Sequence, residues 1–264
     1  MKNIWIAAGV VCALALVSCG GGGDTKTAEA PKAADSGGGA SAGGAAAMPD
    51  MENGGTITGK VMFDGTAPTM KAIDMSAVPA CTKAHPTPAR SEEVIVNGNK
   101  TLKNAFVWIK SGLPDKTWQV PSTPVELDQS GCMYSPHVIG IMAGQNMQIK
   151  NSDPTNHNIH PSPTVNNDWN ESQPPGSEPK MKSFPRQEVM IPVKCNVHNW
   201  MRAYIGVVNH PFFAVTGDDG SFTIKGLPPG TYTLEVWHEK YGTQDQTVTV
   251  GAKESKTQDF TIKG

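Results

Sequence analysis

The chain lacks a charge imbalance. Its 22 Lys and Arg stand against 24 Asp and Glu, a net charge of −2, and no stretch gathers basic residues into a patch. Without a cationic footprint for phosphates, nucleic-acid binding is excluded. The chain also lacks a comfortable bilayer span, because the apolar run Ile4–Val17 falls short of the roughly 20 residues a crossing helix needs. Beyond that run, no amphipathic pattern with helical spacing extends over ten residues. What remains is a series of short alternating runs punctuated by Pro and Gly, which predicts an all-β fold.

The N-terminus carries an address. Met1-Lys2-Asn3 is a short basic start, and the apolar run closes in Leu16-Val17-Ser18-Cys19-Gly20. That ending resembles a bacterial lipoprotein box. The resemblance implies a signal peptide at 1–18, removed with Cys12, and a lipid on the thiol of Cys19. The mature protein would then be anchored to a membrane in the bacterial periplasm or at the cell surface; an ordinary signal peptide or an uncleaved anchor is the alternative. Residues 19–53 are Gly, Ala and Ser with scattered charges, which cannot bury a core and read as a flexible tether. Hydrophobic patterning begins at Thr56.

The most informative residues are two clusters of metal-binding side chains. Cys195-Asn-Val-His198-Asn-Trp-Met201 offers a thiolate, an imidazole and a thioether. Upstream, Asn151 is followed by His157-Asn158-Ile159-His160. Two His, one Cys and a weak axial Met are the donor set of a mononuclear blue-copper site. The spacing has a structural reason. In Val189–Cys195, residues 189, 191, 193 and 195 fall on one face of a strand, so the thiol points with three aliphatics into a core. A tight turn must then return His198 and Met201 to the same ion, before the β-prone run Ala203–Val208. Met147–Asn151 reads as the strand leading to His157. His160, three residues from His157 on an extended chain, falls on the opposite face and is expected as an outer support to the site or a surface residue.

With these residues in place, Val125–Val208 resembles a cupredoxin, most similar to amicyanin and plastocyanin. The Cys-x2-His-x2-Met loop has the amicyanin length, and the Asn-x5-His-Asn-x-His pattern is similar to amicyanin's. The resemblance implies a Greek-key β-sandwich over 120–209 binding one copper ion through His157, Cys195, His198 and Met201. It implies that Asn158 ties the two ligand-bearing segments together near the thiolate. Two positions depart from the family pattern: Asn156 precedes His157 where Pro is usual, and Val193 stands where an aromatic often precedes the Cys by two.

Five cysteines, less Cys12 and Cys19, leave Cys81, Cys132 and Cys195. If Cys195 binds metal, the other two form an even pair, expected as a disulfide in an oxidising compartment. Cys81-x3-His85 with Cys132-x4-His137 is the alternative, a second Cys₂His₂ metal site.

The C-terminal stretch is the most regular. Thr216-Gly-Asp-Asp-Gly-Ser-Phe222 and Gly226-Leu-Pro-Pro-Gly-Thr-Tyr-Thr-Leu234 resemble the carboxypeptidase regulatory-like, transthyretin-like β-sandwich. The opening strand of that family has a counterpart far upstream, in Gly55-Thr-Ile-Thr-Gly-Lys-Val61, and Leu102–Ile109 resembles its next strand. The expected organisation is therefore 54–119 and 210–264 forming one sandwich, with the cupredoxin at 120–209 inserted in it. A tandem arrangement is the alternative.

For function, the reading is a lipid-tethered copper protein passing single electrons between redox partners such as a cytochrome or a dehydrogenase. The alternative is a copper-, carbohydrate- or protein-binding lipoprotein in which the metal is structural or being delivered. The chain lacks the Met- and His-rich runs of storage proteins. It also lacks further His clusters for oxygen chemistry, so no enzyme is expected. In so short a loop the outer edge of His198 is expected near the surface, with Trp200 beside it as a docking residue; Trp200 packed inward under the loop is the other possibility.

Overall fold

The structure, a computed structural model, describes residues 46–264. The expected signal peptide, Cys12, Cys19 and most of the expected tether lie outside that range. The described elements are β1 (Gly55–Asp64), α1 (Pro79–Ala84), β2 (Phe106–Ser111), β3 (Val125–Ser130), β4 (Met133–Ser135), β5 (Val138–Met142), β6 (Met147–Asn151), β7 (His157–Pro161) and β8 (Glu171–Gln173). They continue with β9 (Lys180–Lys182), β10 (Glu188–Lys194), β11 (Arg202–Val208), β12 (Phe213–Val215), β13 (Ser221–Leu227), β14 (Gly230–His238), β15 (Gly242–Val250), β16 (Ser255–Thr257) and β17 (Phe260–Lys263).

Both ends of this range build one sandwich. β1 pairs antiparallel with β13 and parallel with β16 and β17. The facing sheet has the order β12-β2-β14-β15. Alternation along each strand turns Ile57, Val61, Val107, Ile109, Tyr232, Leu234 and Val236 into the common core. Between β2 and β12, which are paired to each other, the chain makes a second sandwich. Its sheets have the orders β5-β11-β10-β7-β8 and β4-β3-β6-β9, closed over Leu127, Ile149, Ile191, Val193 and Ile205. Residues 125–208 are thus an insertion in a discontinuous sandwich rather than a tandem neighbour.

The two sandwiches meet where backbone lies bare. Gly140 of β5 and Gly206 of β11 are cross-strand partners, and the rings of Phe106 and Phe213 rest against them. A Cβ on Gly140 would lie 2.4 Å from the Phe213 ring, and one on Gly206 2.6 Å from Phe106. Trp108, Val138 and Val208 complete this buried seam.

Three expectations are corrected. Of the residues expected on one face of β10, Ile191, Val193 and Cys195 enter the core, but a register shift between Glu188 and Ile191 turns Val189 to the seam. The segment between β1 and β2 does not belong wholly to the first sandwich, because Met75 and Cys81 are buried in the core of the second. The expected tether also ends before residue 53. Ala47 bridges to Trp118, and Asp50 donates its N–H to the Gly226 carbonyl at 3.2 Å.

Candidate metal centre

The candidate ligands lie at strand ends on neighbouring strands. His157 opens β7, Cys195 follows β10, and the next turn leads into β11. That turn is closed by the Met201 N–H on the His198 carbonyl at 3.0 Å and by the Cys195 N–H on the Met201 carbonyl at 3.2 Å. The adjacency of β7 and β10 follows from pairing of Pro161 with Val193 and His160 with Lys194.

This arrangement brings His157, Cys195 and His198 together, with one donor atom from each lying within 4.8 Å of the others. The two imidazoles face each other through Nδ1, 2.9 Å apart, and Cys195 Sγ is 4.0 Å from His198 Nδ1. All three side chains are buried, as is Met201 in the surrounding core. Cys195 is the free cysteine among the described residues. Its sulfur accepts the His198 N–H at 3.3 Å.

Asn158 fastens the two segments. Its Oδ1 accepts the N–H of Asn196 at 2.6 Å, that of Val197 at 3.3 Å and the thiol of Cys195 at 3.3 Å. His160 does not reach a ligand; it sits on the opposite face of β7 and contacts the Asn196 side chain at 3.3 to 3.4 Å.

The electrostatics prepare a thiolate. Burial pushes the Cys195 thiol up, but the hydrogen bond with His157 and the backbone N–H groups around the sulfur outweigh it and hold the group below its ordinary value. Burial lowers His198, and the neighbouring His157 lowers it further, favouring the neutral imidazole a metal requires.

Two features were not legible as such. Asp153 is buried, and its Oδ2 accepts the Nε2–H of His157 at 2.8 Å, the carboxylate–histidine pairing that orients ligating imidazoles. The only signal was a carboxylate four residues before the first candidate ligand. The second is the cover over His198. The structure joins Cys81 to Cys132 in a disulfide, and Cys81 Sγ lies 3.9 Å from His198 Nε2. The expectation of a surface-facing His198 edge is therefore overturned: the residue is only 1% exposed. α1, in a segment the cupredoxin resemblance did not include, brings Cys81 there.

Trp200 is half-buried. Its Nε1–H donates to the Cys132 carbonyl at 3.0 Å, and its ring leans on His198 with centroids 5.0 Å apart. It lines a cavity of about 320 Å³ with His137, Tyr204 and Glu239. The alternative zinc set is not assembled. Cys81 and Cys132 are consumed by the disulfide, His85 bonds the Gly131 carbonyl and His137 pairs with Glu239. The same disulfide removes Cys132 as a ligand from its cluster with Asp153 and His157.

Two imidazole nitrogens, a free thiol and a buried thioether make a mixed soft and borderline donor set, which fits copper. His157, Cys195 and His198 would hold the ion, with Met201 as the weak axial donor.

No curated protein matches the chain in sequence. An amicyanin variant in its Cu(I) form is 17% identical over 38% of this chain and 97% of its own, with a TM-score of 0.29. A novel purple cupredoxin from Nitrosopumilus maritimus is 18% identical over 31% of this chain and 98% of its own, with a TM-score of 0.27. The copper-containing nitrite reductase of Thermus scotoductus SA-01 is 15% identical and covers 55% of this chain, which spans 28% of the reductase, with a TM-score of 0.28. Residues 203–263, from β11 through β17, match the family model of the carboxypeptidase regulatory-like domain.

Proposed function

We propose that this chain is a type 1 copper protein that carries single electrons, held at a membrane of the bacterial periplasm or at the cell surface by a lipid on Cys19. One observation carries the reading: two Nδ1 atoms and one free thiol converge in a buried cluster at the ends of neighbouring strands. Copper bound there supplies one-electron chemistry. The protein's part is to hold the donors so that neither oxidation state requires rearrangement. The Asn158 clamp and the closed turn between Cys195 and Met201 do that.

The burial of all four donors favours a permanent ion over one being delivered, since release would need the loop to open. An enzymatic reading has no support in the remaining histidines. His137 pairs with Glu239, His210 bonds the Ile109 carbonyl, and neither adds a donor beside the site. With the His198 edge covered, the route to a redox partner such as a cytochrome or dehydrogenase runs through Trp200, which touches His198 and lines a surface cavity. The test is a reductive titration of the copper-loaded chain. Uptake of one electron per protein, with reoxidation restoring the starting spectrum, is expected. Loss of the metal on reduction contradicts a carrier.

A further inference from the structure

We infer that Asp153 is a positioning residue of the metal centre, which fixes His157 and places a negative charge one imidazole away from the ion, favouring the oxidised state. The inference rests on the copper reading above and goes beyond it to the balance between Cu(II) and Cu(I).

The carboxylate is held on three sides. Oδ2 accepts His157 Nε2–H at 2.8 Å and the Cys132 N–H at 2.7 Å, and Oδ1 accepts the Gly131 N–H at 2.7 Å. Gly131 and Cys132 both have positive φ, 63° and 54°, and this turn aims two successive N–H groups at one anion. From the other side, the Asp153 N–H is held by Asn151 Oδ1 at 3.0 Å, and Asn151 Nδ2 bonds the carbonyls of Thr155 and Gln173. With Nε2 committed as a donor, Nδ1 is the free lone pair of His157, and it faces His198 Nδ1 and the thiol.

The charge has a consequence. Asp153 is buried, and no Lys or Arg pairs with it among the described residues. A thiolate at Cys195 and a carboxylate at Asp153 together balance a Cu(II) ion. Reduction to Cu(I) would leave one negative charge uncompensated among buried side chains, where charges interact strongly. The carboxylate also makes the imidazole a better donor. Both effects stabilise Cu(II) more than Cu(I).

The test is Asp153→Asn, which keeps the shape and one acceptor oxygen but removes the charge. Affinities for Cu(II) and Cu(I) are measured by competition with chelators, and the potential by redox titration. Cu(II) affinity should fall by about 10–100-fold, the usual cost of losing an outer partner of a ligating His, while Cu(I) affinity changes little. Each tenfold difference raises the potential by about 59 mV. An intact thiolate-to-copper band with an unmoved potential overturns the inference alone. Absence of that band from the unmodified protein overturns the copper reading with it. A second measurement needs no variant. In the unmodified Cu(I) protein, NMR should find the His157 Nε2 proton far downfield and slow to exchange; a rapidly exchanging proton overturns the inference even if Asp153→Asn does not fold.

Discussion

Cys81 Sγ sits 3.9 Å from Nε2 of His198, so a disulfide stands between a candidate copper ligand and the solvent. Its partner Cys132 also presents its carbonyl to Trp200 and its N–H to Asp153. One bridge thus touches the outer surroundings of both candidate histidine ligands. Its two cysteines are separated by 51 residues, and closing a loop of that length stabilises by about 4 kcal/mol on chain-entropy grounds. The double variant Cys81→Ser/Cys132→Ser should lose about that much in denaturant unfolding. Its copper should also exchange electrons faster with small reagents, because the His198 edge is uncovered. Unchanged kinetics would show that the bridge does not shield the ligand.

On the proposed reading, Trp200, whose ring leans on His198, is the aromatic route to a partner. Trp200→Ala removes one hydrogen bond and a half-buried ring, so a loss of about 1–2 kcal/mol is expected. The copper spectrum should persist while electron exchange with a protein partner slows. Loss of colour would make Trp200 a support of the site instead.

The seam between the sandwiches gives a purely structural prediction. At Gly140 and Gly206 there is no room for a methyl group beside the Phe213 and Phe106 rings. Gly140→Ala or Gly206→Ala should each cost about 1–3 kcal/mol by overpacking, read as a lowered urea midpoint. The copper band should not change, because neither glycine touches a ligand. A neutral effect would mean that the seam is loose.

Acid should weaken the fold through two buried histidines. Burial lowers His210 and His238 to about 4. In the unfolded chain both titrate near 6.5, so the unfolded state binds more protons between these values and stability falls as pH drops. The loss begins below about pH 6.5 and is complete below about pH 4, at roughly 3 kcal/mol for each residue. His137 acts in the opposite sense. Burial opposes its charge, but Glu239 and Glu92 raise it above the ordinary value, so its contribution is present at acid pH and fades as pH rises. Denaturation followed from pH 7 to pH 4 checks the sum, and His238→Gln should flatten the slope.

Much of this was legible in the sequence because local pattern and packing agree. Alternation marked β14, where Tyr232, Leu234 and Val236 share the buried face. The seven-residue run from Cys195 to Met201 marked its candidate donors by type and spacing. The non-local features were not legible. Val189 belongs to the seam because a register shift, invisible in alternation, breaks the strand's period. Asp153 is one of many loop carboxylates until a turn with positive φ at Gly131 and Cys132 delivers two N–H groups to it. The short loop put the His198 edge at the surface, and nothing in the run from Val125 to Val208 told of α1, which brings Cys81 over that edge.

The central claim is that Cys195, His157 and His198 hold copper through a thiolate. The most direct test is the visible absorption and EPR spectrum of the chain with one equivalent of Cu(II). An intense thiolate-to-copper charge-transfer band is expected, abolished in Cys195→Ser while far-ultraviolet circular dichroism remains that of a β-protein. A colourless protein that prefers zinc, or a band that survives Cys195→Ser, would contradict it.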